Sequence, residues 1–247
     1  MNKFTPPSPP RDEGERPFWI SYADLMTALM ILFLVVMVAA LGQISHSKAG
    51  TTDPSNPLAS ERESAVRSIC AQIESEASRI SQAIVVDCSL NRISFGEIGT
   101  YKTAEYTLSP EAQTALHQLI PHVLQTANSE LGRRWLKQVV VEGFTDTDGS
   151  YLYNLNLSLK RSEWLMCAIL GHASNTNPAP LDETQRRQVK QLFLIGGVSF
   201  NNNKSSKEAS RRVELRLQFY GMHETPTDLS SSDELEPGSH PRERCHV

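Results

Sequence analysis

The sequence has no excess of positive charge. Its 24 Lys plus Arg stand against 28 Asp plus Glu, a formal net charge of -4, so it lacks the basic field that grips a phosphate backbone, and nucleic acid is excluded as a partner. The four cysteines, Cys70, Cys88, Cys167 and Cys245, contain no Cys-x-x-Cys pair and have no histidine pair beside them, which excludes a structural zinc site and a thioredoxin-type redox motif. No Ser or Cys sits in a nucleophile setting, and His117 and His122 miss the i, i+4 spacing that a helical metal pair needs. The chain is therefore not expected to be an enzyme or to need a cofactor. Trp135 and Trp164 are expected in the core or at its rim rather than as a sugar platform. There is no internal repeat. If the folded part is extracytoplasmic it has the option of a disulfide, Cys70 with Cys88 being the first pairing to consider and four free thiols the alternative.

What is present is one long apolar run in a chain of 247 residues, a length that suits one domain with extra segments. Residues 1–17 hold five prolines among mixed charges and read as a disordered cytoplasmic tail. Ile20 to Leu41 then gives 22 residues with Asp24 as the only ionisable group; as a helix they would reach ~33 Å, enough to cross a bilayer core. Phe18, Trp19 and Tyr22 mark one interface. The alternative is a cleaved signal peptide ending near Val38 and Ala40. Against it stand the length of the run, a leading region without net positive charge and the acid inside it. A single span over 18–42 follows, and Lys3, Arg11 and Arg16 ahead of it place the N-terminus in the cytoplasm and the rest in the periplasm.

Residues 43–60, with Gly50, Pro54 and Pro57, read as a linker, and 61–220 as the folded domain. Apolar residues at helical spacing from Glu61 to Ile80 predict a helix. Ala83 to Asp87 and Arg92 to Phe95 predict two strands joined by a turn at Ser89 to Asn91. Ser109 caps a helix that has Pro110 at its first position and runs towards Asn128. Val139 to Val141, Leu192 to Ile195 and Arg212 to Phe219 predict further strands, and Leu155 to Leu170 a helix. This is the pattern of a mixed α/β (α+β) sandwich with helices on one face of the sheet. Residues 221–247, rich in Ser, Pro and acids, read as a disordered C-terminal tail.

A carboxylate within a span costs on the order of 2.5 to 3.5 kcal/mol, so it normally faces protein or water and has a task. Ser21, Asp24, Thr27 and Ala28 share one small, polar stripe of the kind that packs against other helices. A carboxyl that alternates between dry and wet surroundings can take up a proton on one side and release it on the other, with about 2.3 kcal/mol available per charge per 100 mV. The bland alternative is an acid that snorkels to the interface and sets the helix boundary. The stretch PFWISYADLMTALMILFLVVMVAAL resembles the single span of flagellar stator B subunits (MotB and PomB), with Tyr22, Ala23, Asp24, Met26 and Thr27 matching their motif. The resemblance implies that Asp24 carries the ion, H+ with Na+ as the alternative, and that a homodimer of this chain sits inside a pentamer of a multi-span MotA-like subunit.

A second stretch, VVVEGFTDTDGSYLYNLNLSLKRSEWLMCAIL, resembles OmpA-like peptidoglycan-binding domains with their strand, Gly-x-Thr-Asp and later Asn, Leu-Ser and Arg, and Arg211, Arg212, Val213 and Glu214 match their closing strand. The resemblance implies that Asp146 and Arg161 hold the charged ends of diaminopimelate, with Tyr153, Asn154, Leu157 and Ser158 beside them. The chemistry agrees, since a zwitterion needs an acid for its ammonium and a guanidinium fork for its carboxylate. The alternatives are a capped turn at Gly149 with a solvated Arg161, and a calcium loop, which would need an acid at Phe144 and a Glu at Leu155. Phe144 replaces the usual His, and Ser210 the usual Asn before the paired arginines.

The wording of the span, the overall length and the series Tyr153, Asn154, Leu157, Arg161 most resemble the B subunits of Zorya-type anti-phage defence systems. The resemblance implies a single-pass inner-membrane protein with a MotA-like (ZorA-type) partner, fixed to peptidoglycan while the partner turns. A flagellar stator that drives motility and a passive wall tether are the alternative functions.

Overall fold

The computed structural model describes residues 16–48, 57–171, 181–222, 224 and 245. The chain divides into two compact units, Met1–Asp53 and Pro54–Val247. The first contains one element, α1 (Arg16–Lys48). From Tyr22 to Ala39 all its side chains are exposed, Leu29, Ile31, Phe33 and Val35 among them. A cylinder this apolar, broken only by Asp24 and Thr27 near one end, is stable against lipid or other helices rather than water. The helix continues past residue 42, where the span was expected to end, because apolarity marks only the part that crosses lipid, while backbone hydrogen bonding carries on through a stretch without proline. Residues 1–15 of the expected tail and 49–56 of the expected linker lie outside the described residues.

The second unit opens with α2 (Pro57–Ile80), four residues before the expected start at Glu61. Pro57 is its first residue, a position where the missing N–H costs nothing. Ala65, Ile69, Ile73 and Ala77 form its buried stripe. Then follow β1 (Val85–Asp87), β2 (Arg92–Ser94), α3 (Pro110–Asn128), α4 (Glu130–Trp135), β3 (Leu136–Gly143), α5 (Tyr151–Leu170), α6 (Glu183–Leu192), β4 (Phe193–Gly197), α7 (Lys207–Ser210) and β5 (Val213–Phe219). Asp87 closes the β1–β2 turn by accepting from the Ser89 and Leu90 amides. Ser109 caps α3 as expected, accepting from the Ala112 amide.

The strands form one mixed sheet in the order β1-β2-β5-β3-β4, with β3 and β4 parallel and the other neighbours antiparallel. Ile93, Val139, Val141, Val213, Leu215 and Leu217 form a buried core with α2, α3 and α5. An irregularity in the β3–β5 register at Lys137 sets two residues against one. That extra residue lets Leu136 join Val139 and Val141 in the core despite the change of parity. The opposite face carries charge: Arg92 donates to Glu142 at 2.8 Å and to Glu214 at 2.6 Å, and Arg216 pairs with Glu142 at 2.8 Å.

Two disulfides cross-link the domain, Cys70–Cys88 and Cys167–Cys245. The first is the pairing considered from sequence. The second corrects the expectation of a free tail from residue 221, since it fixes Cys245 to α5 against the core. Glu224 is held as well, by Lys137 and the Gly221 amide. Residues 225–244 lie outside the described residues.

Candidate functional site

The loop after β3 is shaped by its own polar groups. Asp146 accepts from the Asp148 amide at 3.1 Å, Gly149 takes φ +100°, and Ser150 caps α5 by accepting from the Tyr153 amide. This cap starts α5 at Tyr151, four residues before the expected Leu155. Asn154 then donates to the Asp148 carbonyl at 2.9 Å, which locks the loop onto the helix. Close packing does the rest: a Cβ on Gly143 would lie 2.0 Å from the Ser158 carbonyl oxygen. Only glycine lets the end of β3 approach α5 this closely.

These contacts bring Asp146, Tyr153, Asn154, Leu157 and Arg161 around one small cavity of about 30 Å³, together with Thr145, Asp148 and Arg211. Ser158 is not among the residues that line it. It is fully buried, donating to the Leu155 carbonyl at 2.8 Å and accepting from the Ser199 amide at 3.1 Å. Since α5 begins at Tyr151, Ser158 lies two turns inside the helix rather than at its start, so its backbone N–H is not an anion-binding donor.

Arg161 is fully buried and its fork is largely committed. It donates through Nη1 to the Phe144 carbonyl at 2.6 Å, through Nε to the Glu105 carbonyl at 2.9 Å and through Nη2 to the Lys102 carbonyl at 3.4 Å. Its guanidinium lies over the Tyr101 ring, 4.5 Å from the centroid. Burial pulls its pKa down to about 10, with Tyr101 and Asp146 opposing the shift, so it stays charged at neutral pH. The solvated-face alternative does not hold.

Asp146 takes its cation from elsewhere: Arg211 donates to it at 2.9 Å through Nη1 and also bonds Glu208 and the Tyr101 carbonyl. The hydrogen bond to Asp146 is the main cause of a raised Arg211 pKa. Sequence reading did not single out Arg211 as a site residue. Its signal was the pair Arg211, Arg212 ahead of an alternating strand, where neighbours point to opposite faces. Thr145 was also passed over. Its hydroxyl oxygen is buried, has no hydrogen-bond partner and belongs to a residue that lines the cavity. A buried polar atom left this way is costly unless a ligand or water satisfies it.

The two departures from the motif have structural places. Phe144 is buried with the Arg212 guanidinium 4.1 Å from its centroid, and Ser210 accepts from the Lys204 amide and donates to the Ser206 carbonyl. His117 meets the Ala168 carbonyl at 3.1 Å and His122 faces Glu76, while Trp135 and Trp164 are buried in the core. In α1, Thr27 donates to the Asp24 backbone carbonyl at 2.9 Å. The Asp24 carboxyl has no partner among the described residues.

The Zorya protein ZorB of Escherichia coli O139:H28 (strain E24377A / ETEC) is 52% identical over 211 residues, 85% of this chain and 84% of that protein. The chain belongs to the ZorB family. Its residues 3–49 also match the family described as membrane MotB of the proton-channel complex MotA/MotB. Among solved structures, a putative MotB-like protein from Desulfovibrio vulgaris has TM-score 0.42 at 17% identity, covering 64% of this chain and 97% of that one. The OmpA-like domain of FopA1 from Francisella tularensis subsp. tularensis SCHU S4 has TM-score 0.34 at 14% identity, covering 56% and 82%. This ZorB-family chain has the expected fold class, an α/β domain built on a mixed sheet and preceded by one N-terminal apolar helix among the described residues.

Proposed function

We propose that this chain is the ion-carrying, wall-anchored B subunit of an inner-membrane motor that acts in anti-phage defence. One observation carries the reading. A ZorB-family chain joins an apolar helix with a single carboxylate to a domain whose cavity sets an acid, Asp146, beside two guanidinium groups, Arg161 and Arg211.

The helix supplies the ion path. Two copies of the chain present Asp24 to a MotA-like, ZorA-type pentamer, and protons loaded on one side of the membrane and released on the other step the pentamer around the dimer. The domain supplies the stationary reference. Asp146 receives the ammonium of a stem-peptide diamino acid, and the guanidinium groups receive its carboxylate, with Tyr153, Asn154 and Leu157 shaping the entrance. Without that hold, torque would spin the dimer instead of doing work on the partner. Basic residues ahead of α1 and two disulfides beyond it both favour a cytoplasmic N-terminus and a domain in the oxidising periplasm.

The test is phage plaquing on cells that carry the native operon, wild type beside Asp24→Asn. Protection that disappears with the substitution, while the complex still purifies in detergent, is the expected result. Equal protection from both forms would sink the ion-carrier role. Absence of protection from the wild-type operon, with swimming rescued in a stator-deficient strain, would move the chain to the flagellar function.

A further inference from the structure

The cavity around Asp146 is too small to hold more than the tip of a ligand, about 30 Å³, the space of one or two waters. The body of whatever enters must lie outside. Next to it is a groove of about 530 Å³ lined by Ser94, Glu97, Thr100, Lys204, Ser206 and Glu208, a volume in the range of real ligand sites. From the anchoring reading above we infer that this groove is a saccharide site, which takes the amino-sugar backbone of peptidoglycan while the stem peptide ends in the Asp146 cavity.

The two spaces adjoin where Arg211 meets Glu208. Arg211 lines the small cavity and Glu208 the groove, and Arg211 bonds Asp146 on one side at 2.9 Å and Glu208 on the other at 3.3 Å. Helix α7 is thus a narrow wall, and one branched ligand can straddle it. The wall is held by Lys207 bonded to Asp148 at 2.6 Å and by Ser210 accepting from the Lys204 amide of the preceding loop at 3.0 Å.

Groove chemistry selects the class of ligand. The floor residue Arg212 is neutralised by Glu214 at 2.6 Å and bonded to the Asn202 carbonyl, and Glu208 is matched by Arg211. That leaves Glu97 as the carboxylate without a partner among the described residues, since the Lys204 ammonium already interacts with Asp87, so the groove holds no free positive charge. An anionic polymer such as nucleic acid or a polyphosphate gains nothing there. Ser205 also lines the groove. The Ser94 and Ser206 hydroxyls, each accepting one backbone amide, can still donate, and the Thr100 hydroxyl, donating to the Glu97 carbonyl, can still accept. Lys204 and Glu97 add a donor and an acceptor to this mixed array. That array suits a neutral polyol bearing acetamido groups, whose many hydroxyls must each be matched on leaving water.

The experiment measures binding by calorimetry to the full-length chain in detergent, with two probes: the free stem tetrapeptide ending in diaminopimelate and D-alanine, and the same peptide carried on its N-acetylglucosamine–N-acetylmuramic acid disaccharide. The wild type is expected to bind the disaccharide-peptide at least tenfold tighter than the peptide. Ser205→Trp, which fills the groove from an exposed loop position, and the milder Lys204→Ala should shrink that ratio towards one while peptide affinity stays constant. Equal affinity of the wild type for both probes, or a ratio that neither variant moves, would overturn the saccharide site and leave the peptide site standing. Binding of neither probe would overturn the anchoring reading and this one with it.

Discussion

Arg211 and Asp146 meet at 2.9 Å inside the domain, with side chains only 12% and 7% exposed. Each is 65 residues from the other in sequence, and the pair closes the cavity that Arg161 lines from below. A zwitterion can insert between them because it offers each charge a replacement. A lone cation or anion would leave one of the two buried without a partner. Asp146→Ala should therefore abolish retention on purified sacculi and lower stability by roughly 3 kcal/mol, the usual consequence of stranding one member of a buried pair. Cosedimentation and denaturant melts check both, and retention at wild-type level would contradict the assignment.

Arg161→Lys keeps the charge but cannot reproduce a fork that meets three backbone carbonyls. A drop in thermal midpoint corresponding to about 2 kcal/mol is expected, on the scale of hydrogen bonds made by charged groups. An unchanged melting curve would mean that the clamp between α5 and the loops at Lys102, Glu105 and Phe144 is not formed in solution.

Glu214 gives the acid behaviour. Burial alone would raise its pKa, but hydrogen bonds and charge from Arg212 and Arg92 outweigh this and hold it below the ordinary 4.5. A depressed carboxylate contributes stability above its unfolded pKa, and that contribution is lost as pH falls through the lower folded value. Circular dichroism against pH should show the domain losing stability below about pH 4.5, and Glu214→Gln should flatten that dependence. Identical acid profiles for the two proteins would remove Glu214 as a cause.

The cysteine assignment is testable by mass. Alkylation of the unfolded, unreduced protein should add no label, and alkylation after reduction should label Cys70, Cys88, Cys167 and Cys245. The Cys70→Ser, Cys88→Ser double variant should lose about 3 kcal/mol, the size expected for a closed loop of this length. Labelling without reductant would argue against both bonds and against the periplasmic placement built on them.

Much of this was legible in the sequence because the signals were local. The β-branched run Val139 to Val141, the turn around Ser89, and Ser109 followed by Pro110 each specify structure within a few residues, and the elements lie where those residues indicate. Helix α6 was not, because its only apolar residues, Val189 and Leu192, lie in its last turn and two positions are too few to show a period. Helices α4 and α7, of six and four residues, are too short to show one. In the site, the loop and α5 carried Asp146, Asn154, Leu157 and Arg161 within one motif. Arg211 and the unpartnered Thr145 hydroxyl emerge only once β5 is paired with β3. Ser158 is the converse case, a motif residue that the fold places against the ends of β3 and β4 rather than on the cavity wall.

The two cross-links differ in when they can close. Cys70 and Cys88 are 18 residues apart, whereas Cys245 follows Cys167 by 78. In the export that the proposed function requires, α2 can be stapled to the β1–β2 turn once residue 88 has crossed, whereas α5 stays unlatched until residue 245 has crossed. The helix that carries the cavity is thus the last to be secured covalently, with Cys167 a thiol until Cys245 reaches it.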